Sequence, residues 1–193
     1  MGFDLTGVNP KDAIYKKPNY KIYKTNQDKY FEELSRFQNQ KGAYFRNNVW
    51  WWRPLAEYVI TFTKVINKKD NDKWHCNDCH LVDNSHAEQI ANQLDHLIKS
   101  GHTLKYEKMY EKKRRKAEKY NEVVEKCLES FLNLIKYQTG DKNIVPLNFD
   151  KDDKLIWDKI WDKKMFNASY PFSVENVKNF ADFCRNSGGF TIG

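Results

Sequence analysis

Apolar residues recur along most of this chain at three- and four-residue intervals, the spacing of one face of an α-helix. Tyr30, Phe31, Leu34 and Phe37 predict a helix over 27–40 that stops at Gly42. Leu55, Tyr58, Val59, Phe62 and Ile66 predict a second over 48–66, with Asn47 or Asn48 as its cap. Pro54 would break an interior turn, so this helix is expected to begin near Arg53 with Pro54 at its first position. Trp50, Trp51 and Trp52 then form an irregular lead-in, and the β-branched run Val59-Ile60-Thr61 leaves a strand as the lesser alternative. Ser85 and Glu88 have capping-box spacing ahead of Ile90, Leu94, Leu97 and Ile98, and Gly101 stops that helix.

A long helix is predicted over 103–137, closed by Gly140. Its first half is charged almost all round and is expected to project, while Val123, Val124, Leu128, Phe131, Leu132 and Ile135 give its second half a core face. Residues 151–165 place Ile156, Trp157, Ile160 and Trp161 on one side of a further helix, with Trp157 and Trp161 expected in the core and Asp158 and Asp162 outward. Ser173 caps a last helix carrying Val174, Val177, Phe180, Ala181 and Cys184, and Ser187-Gly188-Gly189 turns out of it into a short strand at Phe190–Ile192. Residues 9–25 alternate Lys and Tyr with no helical period and read as an extended arm. The fold class is therefore mainly α: a single compact helical domain over 1–193 with one long, partly projecting helix and an irregular N-terminal arm.

Composition adds a partner class. The 193 residues are 40% hydrophobic and 15% aromatic, enough for a buried core in one domain. Lys and Arg number 33 against 26 Asp and Glu, a net charge of +7, and the excess is uneven, which favours an anionic partner. No apolar run approaches the roughly 18 residues of a membrane span, and the first residues lack the basic and apolar stretches of a signal peptide. A cytoplasmic location is expected, with no membrane partner, and in that compartment four cysteines are reduced thiols or metal ligands.

Three constellations could carry chemistry. Lys105, Lys108, Lys112, Lys113, Arg114, Arg115, Lys116 and Lys119 run along the long helix with Tyr106, Tyr110 and Tyr120 among them. Cations neutralise phosphates and tyrosines stack on bases, so the mixture suits a nucleotide or a nucleic-acid strand; a solvated helix, with Glu111 and Arg115 as an ordinary surface pair, is the plainer alternative. Arg46, Trp50 and Arg53 could grip a phosphate or stack a base, although two of the three tryptophans are expected to pack inside. Cys76 and Cys79 have knuckle spacing, and His86 could join them in one structural zinc site; otherwise they are loop thiols and no cofactor is expected. No nucleophile and base pairing, carboxylate pair or phosphate loop assigns a catalytic residue.

Three stretches carry a resemblance: the opening Met1-Gly2-Phe3-Asp4-Leu5, the segment Tyr44-Phe45-Arg46-Asn47-Asn48-Val49-Trp50-Trp51-Trp52-Arg53-Pro54-Leu55, and Tyr170-Pro171-Phe172-Ser173-Val174-Glu175-Asn176-Val177 with Ser187-Gly188-Gly189-Phe190. Together they resemble a widespread family of uncharacterised small phage and bacterial proteins. The family supplies no activity. Its members commonly carry a Cys-rich, zinc-ribbon-like insertion, which helix-forming sequence replaces here, and Lys11 to Lys41 looks like an insertion of this chain's own. The resemblance implies a phage-type accessory protein acting in the host cytoplasm. Combined with the charge pattern, it leads to the expectation of a non-enzymatic binder of an anionic nucleotide or nucleic acid. The alternative is a counter-defence inhibitor, anti-CRISPR-like or anti-immune, that contacts a host defence protein; a zinc-dependent hydrolase is the third reading.

Overall fold

A computed structural model describes residues 2–193 and is mainly α-helical. Helices are α1 (Tyr20–Thr25), α2 (Gln27–Gln38), α3 (Val49–Thr63), α4 (Asn84–Lys99), α5 (His102–Thr139), α6 (Lys151–Trp161) and α7 (Val174–Asn186). Strands β1 (Gly2–Gly7), β2 (Tyr44–Asn48), β3 (His80–Val82) and β4 (Phe190–Ile192) form one antiparallel sheet in the order β2-β1-β4-β3. Two compact units result: residues up to Lys108 together with Phe172–Gly193, and Met109–Pro171.

The first unit is built on the sheet and on packing of α4 against α7. In β1, Phe3 and Leu5 alternate inward while Asp4 and Thr6 face the other way, so a six-residue strand is half core and half surface. Trp52 is fully buried, stacked on Phe3 at 5.4 Å and on Trp74 at 5.9 Å, with Phe180 edge-on at 5.8 Å. Its indole N–H donates to the Trp74 carbonyl at 2.7 Å, so the largest core side chain is satisfied as well as packed. The loop before β2 meets the end of α7 at Gly42, whose φ is +74° and where an added Cβ would lie 2.2 Å from the Asn186 carbonyl oxygen. Only glycine allows that approach.

The second unit contains the α5 residues from Met109 onward, α6, and a 3-10 turn at Phe166–Ser169. Ala117, Val124, Leu128 and Ile135 are its buried face of α5, and the Asn121 amide clasps the Met165 backbone, accepting from its N–H at 2.8 Å and donating to its carbonyl at 3.0 Å. Phe149 sits edge-on to Phe131 and Trp157. The predicted projecting half of α5 is therefore packed along one side.

Several local expectations are corrected. Trp50, Trp51 and Trp52 are helical, because the Asn48 side chain accepts from the N–H groups of Trp50 and Trp51 and starts α3 at Val49. Pro54 lies inside the helix, where it supplies no backbone donor. Asn47 does not cap; its amide donates to Asn176 at 3.0 Å. Asp83 rather than Ser85 caps α4, accepting from His86 N–H at 2.9 Å. Within the arm, Asn19 caps the short helix α1, where Tyr20 stacks on Tyr23. Trp161 is 42% exposed and α6 has no fully buried residue, so Trp157 and Trp161 are not a core pair. Helical periodicity is silent on β1, β2 and β3, whereas β4, the long helix and the Ser173 cap stand where the sequence predicts them.

Candidate functional site

Within the second unit, Lys112, Arg115, Lys116 and Lys119 follow one another at short helical steps and share one exposed face of α5. They are held there because the opposite face, through Ala117, Asn121 and Val124, is engaged in packing. At 1.5 Å per residue the four charges span about 10 Å, within reach of successive phosphates. Tyr120, 41% exposed, and Val123, 58% exposed, continue the same surface. Lys113 is exposed beside it, and Lys105 and Lys108 are exposed on the part of α5 in the first unit.

The two arginines differ from the lysines. Arg114 is mostly covered: its guanidinium bonds Glu111 at 2.8 and 3.0 Å, pairs with Glu118 and donates to the Ala168 carbonyl at 3.3 Å. Arg115 also bonds Glu111, at 2.9 Å. Hydrogen bonds from Arg114 and then Arg115 hold the Glu111 carboxyl down to about 2. Arg114 thus serves as a structural clamp, and the lysines carry the uncompensated charge.

The Arg46, Trp50 and Arg53 cluster is divided between two elements. Arg46 stands on the outer face of β2, its Nε 3.5 Å from Asp4, to which the Tyr44 hydroxyl also donates. Burial, then the hydrogen bond and charge of Asp4, push the Tyr44 phenol up to about 12. Trp50 and Arg53 are exposed on α3, one turn apart. Trp51 is half-buried, so of the three tryptophans only Trp52 is fully in the core. No spacing marks the pairing of Asp4 on β1 with Tyr44 on β2, although the alternation of Phe3 and Leu5 with polar neighbours signals the strand of Asp4.

Cys76 and Cys79 are both exposed, and the His86 ring turns its Nδ1 to Asp83 at 2.7 Å. Among the described residues no three His, Cys, Asp or Glu side chains converge as a metal ion requires. No helix among them is long and apolar enough to cross a membrane. Beside this loop lies a cavity of about 190 Å³, bordered by Ile66, Asn67, Asp70, Trp74, Asp83 and Ile90. No sequence spacing signals it, because its wall is assembled from α4, β3 and the turns between Val65 and Trp74.

No family model, curated protein or solved structure matches this chain.

Proposed function

We propose that this protein is a non-enzymatic, phage-type accessory protein that binds an anionic nucleic acid or nucleotide through the exposed face of α5. The observation that carries the reading is the placement of Lys112, Lys116 and Lys119 on one solvent-facing stripe while the acidic side chains Glu111 and Glu118 are occupied with Arg114. Such a stripe attracts phosphates by releasing their counterions, and Tyr120 on the same face offers a stacking surface for a base. Arg115 contributes as a charge already shared with Glu111.

The test is fluorescence anisotropy of a labelled single strand across a salt series. Affinity should fall steeply with salt, and K112E/K116E should flatten the slope by about 0.7 for each phosphate no longer neutralised. Salt-independent affinity, or a slope unchanged in the variant, would overturn the reading.

A second reading is favoured by Met109, 52% exposed, and Val123, 58% exposed, which interleave large apolar groups with the lysines. Apolar and cationic groups together suit the acidic groove of a protein, as a counter-defence inhibitor of a host complex would require. In that case a purified complex would form with a host protein, V123D would abolish it, and free strands would not compete.

A further inference from the structure

We infer that the hairpin of α1 and α2 is a binding surface for single-stranded nucleic acid, on which an unpaired base stacks against Tyr20. Helix α1 has six residues and none of them is buried, so its rings serve no core. They gather instead with those of α2. Tyr20 and Tyr23 lie nearly parallel, 5.1 Å apart and 14° from coplanar, while Tyr30 and Phe31 stand edge-on to Tyr23 at 5.5 and 5.8 Å. Tyr20 remains 60% exposed and Phe31 55%. Clustered rings left in water, unlike scattered single ones, mark a place where something docks.

Charge identifies the partner. No Asp or Glu occurs between Asp12 and Asp28, whereas Lys16, Lys17, Lys21 and Lys24 all fall in that stretch and are all exposed. The flanking Lys11 and Lys29 are paired with Glu88 at 3.2 Å and Glu33 at 3.9 Å, but among the described residues the four between them have no carboxylate partner. Free cations neutralise phosphates, and a parallel ring pair with an exposed outer member can be extended by one more flat ring. A duplex hides the faces of its bases, so the match is to a single strand. An anionic bilayer fits less well, because α1 covers fewer than two turns and its rings carry hydroxyls, which leaves no continuous apolar face to sink into lipid.

The surface is also held in shape. The Gln40 side chain accepts from the N–H groups of Ile14 and Tyr15 at 2.6 and 2.7 Å and donates to the Tyr15 carbonyl at 2.7 Å. Asn19 and Asn26 cap α1 and α2 by accepting from the N–H groups of Lys21 and Lys29, each at 2.9 Å. A platform fixed in this way loses little freedom when a strand binds. It lies wholly in the first unit, whereas Lys112 and Lys116 belong to the second, so it does not rest on the α5 reading and the two are tested apart.

The probe is a labelled oligothymidylate, followed by fluorescence anisotropy on the full chain in the native and the K112E/K116E backgrounds. Y20A should weaken binding about tenfold in each, and Y20F, which keeps the ring, should restore it. K21Q/K24Q should flatten the salt slope by about 0.7 for each charge that had neutralised a phosphate. Because α1 buries no side chain, helical circular dichroism should be the same in all of these variants.

If Y20A binds as tightly as the native chain, or if the strand paired with its complement binds as tightly as the free strand, the inference falls. Capture of polyglutamate or of phosphatidylserine vesicles in place of the strand would overturn it as well. Weakening by Y20A with no effect of K112E/K116E would instead remove the α5 reading and leave the hairpin surface standing.

Discussion

The two units use similar residues in opposite ways. In the first, Trp52, Trp74 and Phe180 are fully buried and interlock, and the Trp52 indole is hydrogen-bonded. In the second, Trp161 is 42% exposed, Leu155 54% and Ile156 44%, and the surrounding structure depends on polar devices such as the Asn121 clasp and the Arg114 ion pairs. Aromatic content alone therefore does not make a core. A tryptophan stabilises when neighbours on several elements close over it, and the sheet of the first unit provides that closure while the single helix face of α6 does not.

The contrast can be broken by mutation. The largest effect is expected for Trp52→Ala, which removes a stacked and hydrogen-bonded indole and should cost about 3–5 kcal/mol in a urea titration. Gly42→Ala should follow at roughly 2–3 kcal/mol, because both a positive φ and a backbone contact with Asn186 oppose a Cβ; equal midpoints in denaturant would refute that close approach.

Smaller effects sharpen the comparison through pH. The folded chain holds the Tyr44 proton more tightly than the unfolded chain, so its contribution is full below pH 10.0 and is lost as pH rises toward about 12. Tyr44→Phe should remove that alkaline decline, which solvent screening limits to about 1 kcal/mol. Glu111 has the opposite sign. Its ionised form is favoured on folding, so its contribution is present above pH 4.5 and disappears as pH falls toward about 2. Glu111→Gln should flatten acid unfolding of α5, followed by helical circular dichroism, by less than about 1 kcal/mol. Trp161→Ala should cost clearly less than Trp52→Ala, since 42% of Trp161 is already in water and one of its contacts is the Lys164 ammonium 4.3 Å over the ring. A cost comparable with that of Trp52 would show that Trp161 belongs to a core after all.

Periodicity alone determined the helices that are long or well capped: α5 with its stop at Gly140, α7 with its Ser173 cap, and the stripe of lysines at helical spacing. These depend on interactions within a few residues, which the order of amino acids states directly. Tertiary structure decided the rest. Strands β1 and β2 exist because segments some forty residues apart pair, with Asp4 opposite Arg46. The depth of each tryptophan, the seating of Arg114 against the Ala168 carbonyl, and the cavity beside Trp74 likewise depend on which remote elements meet. Such meetings follow from closing the chain on itself, and no local spacing encodes them.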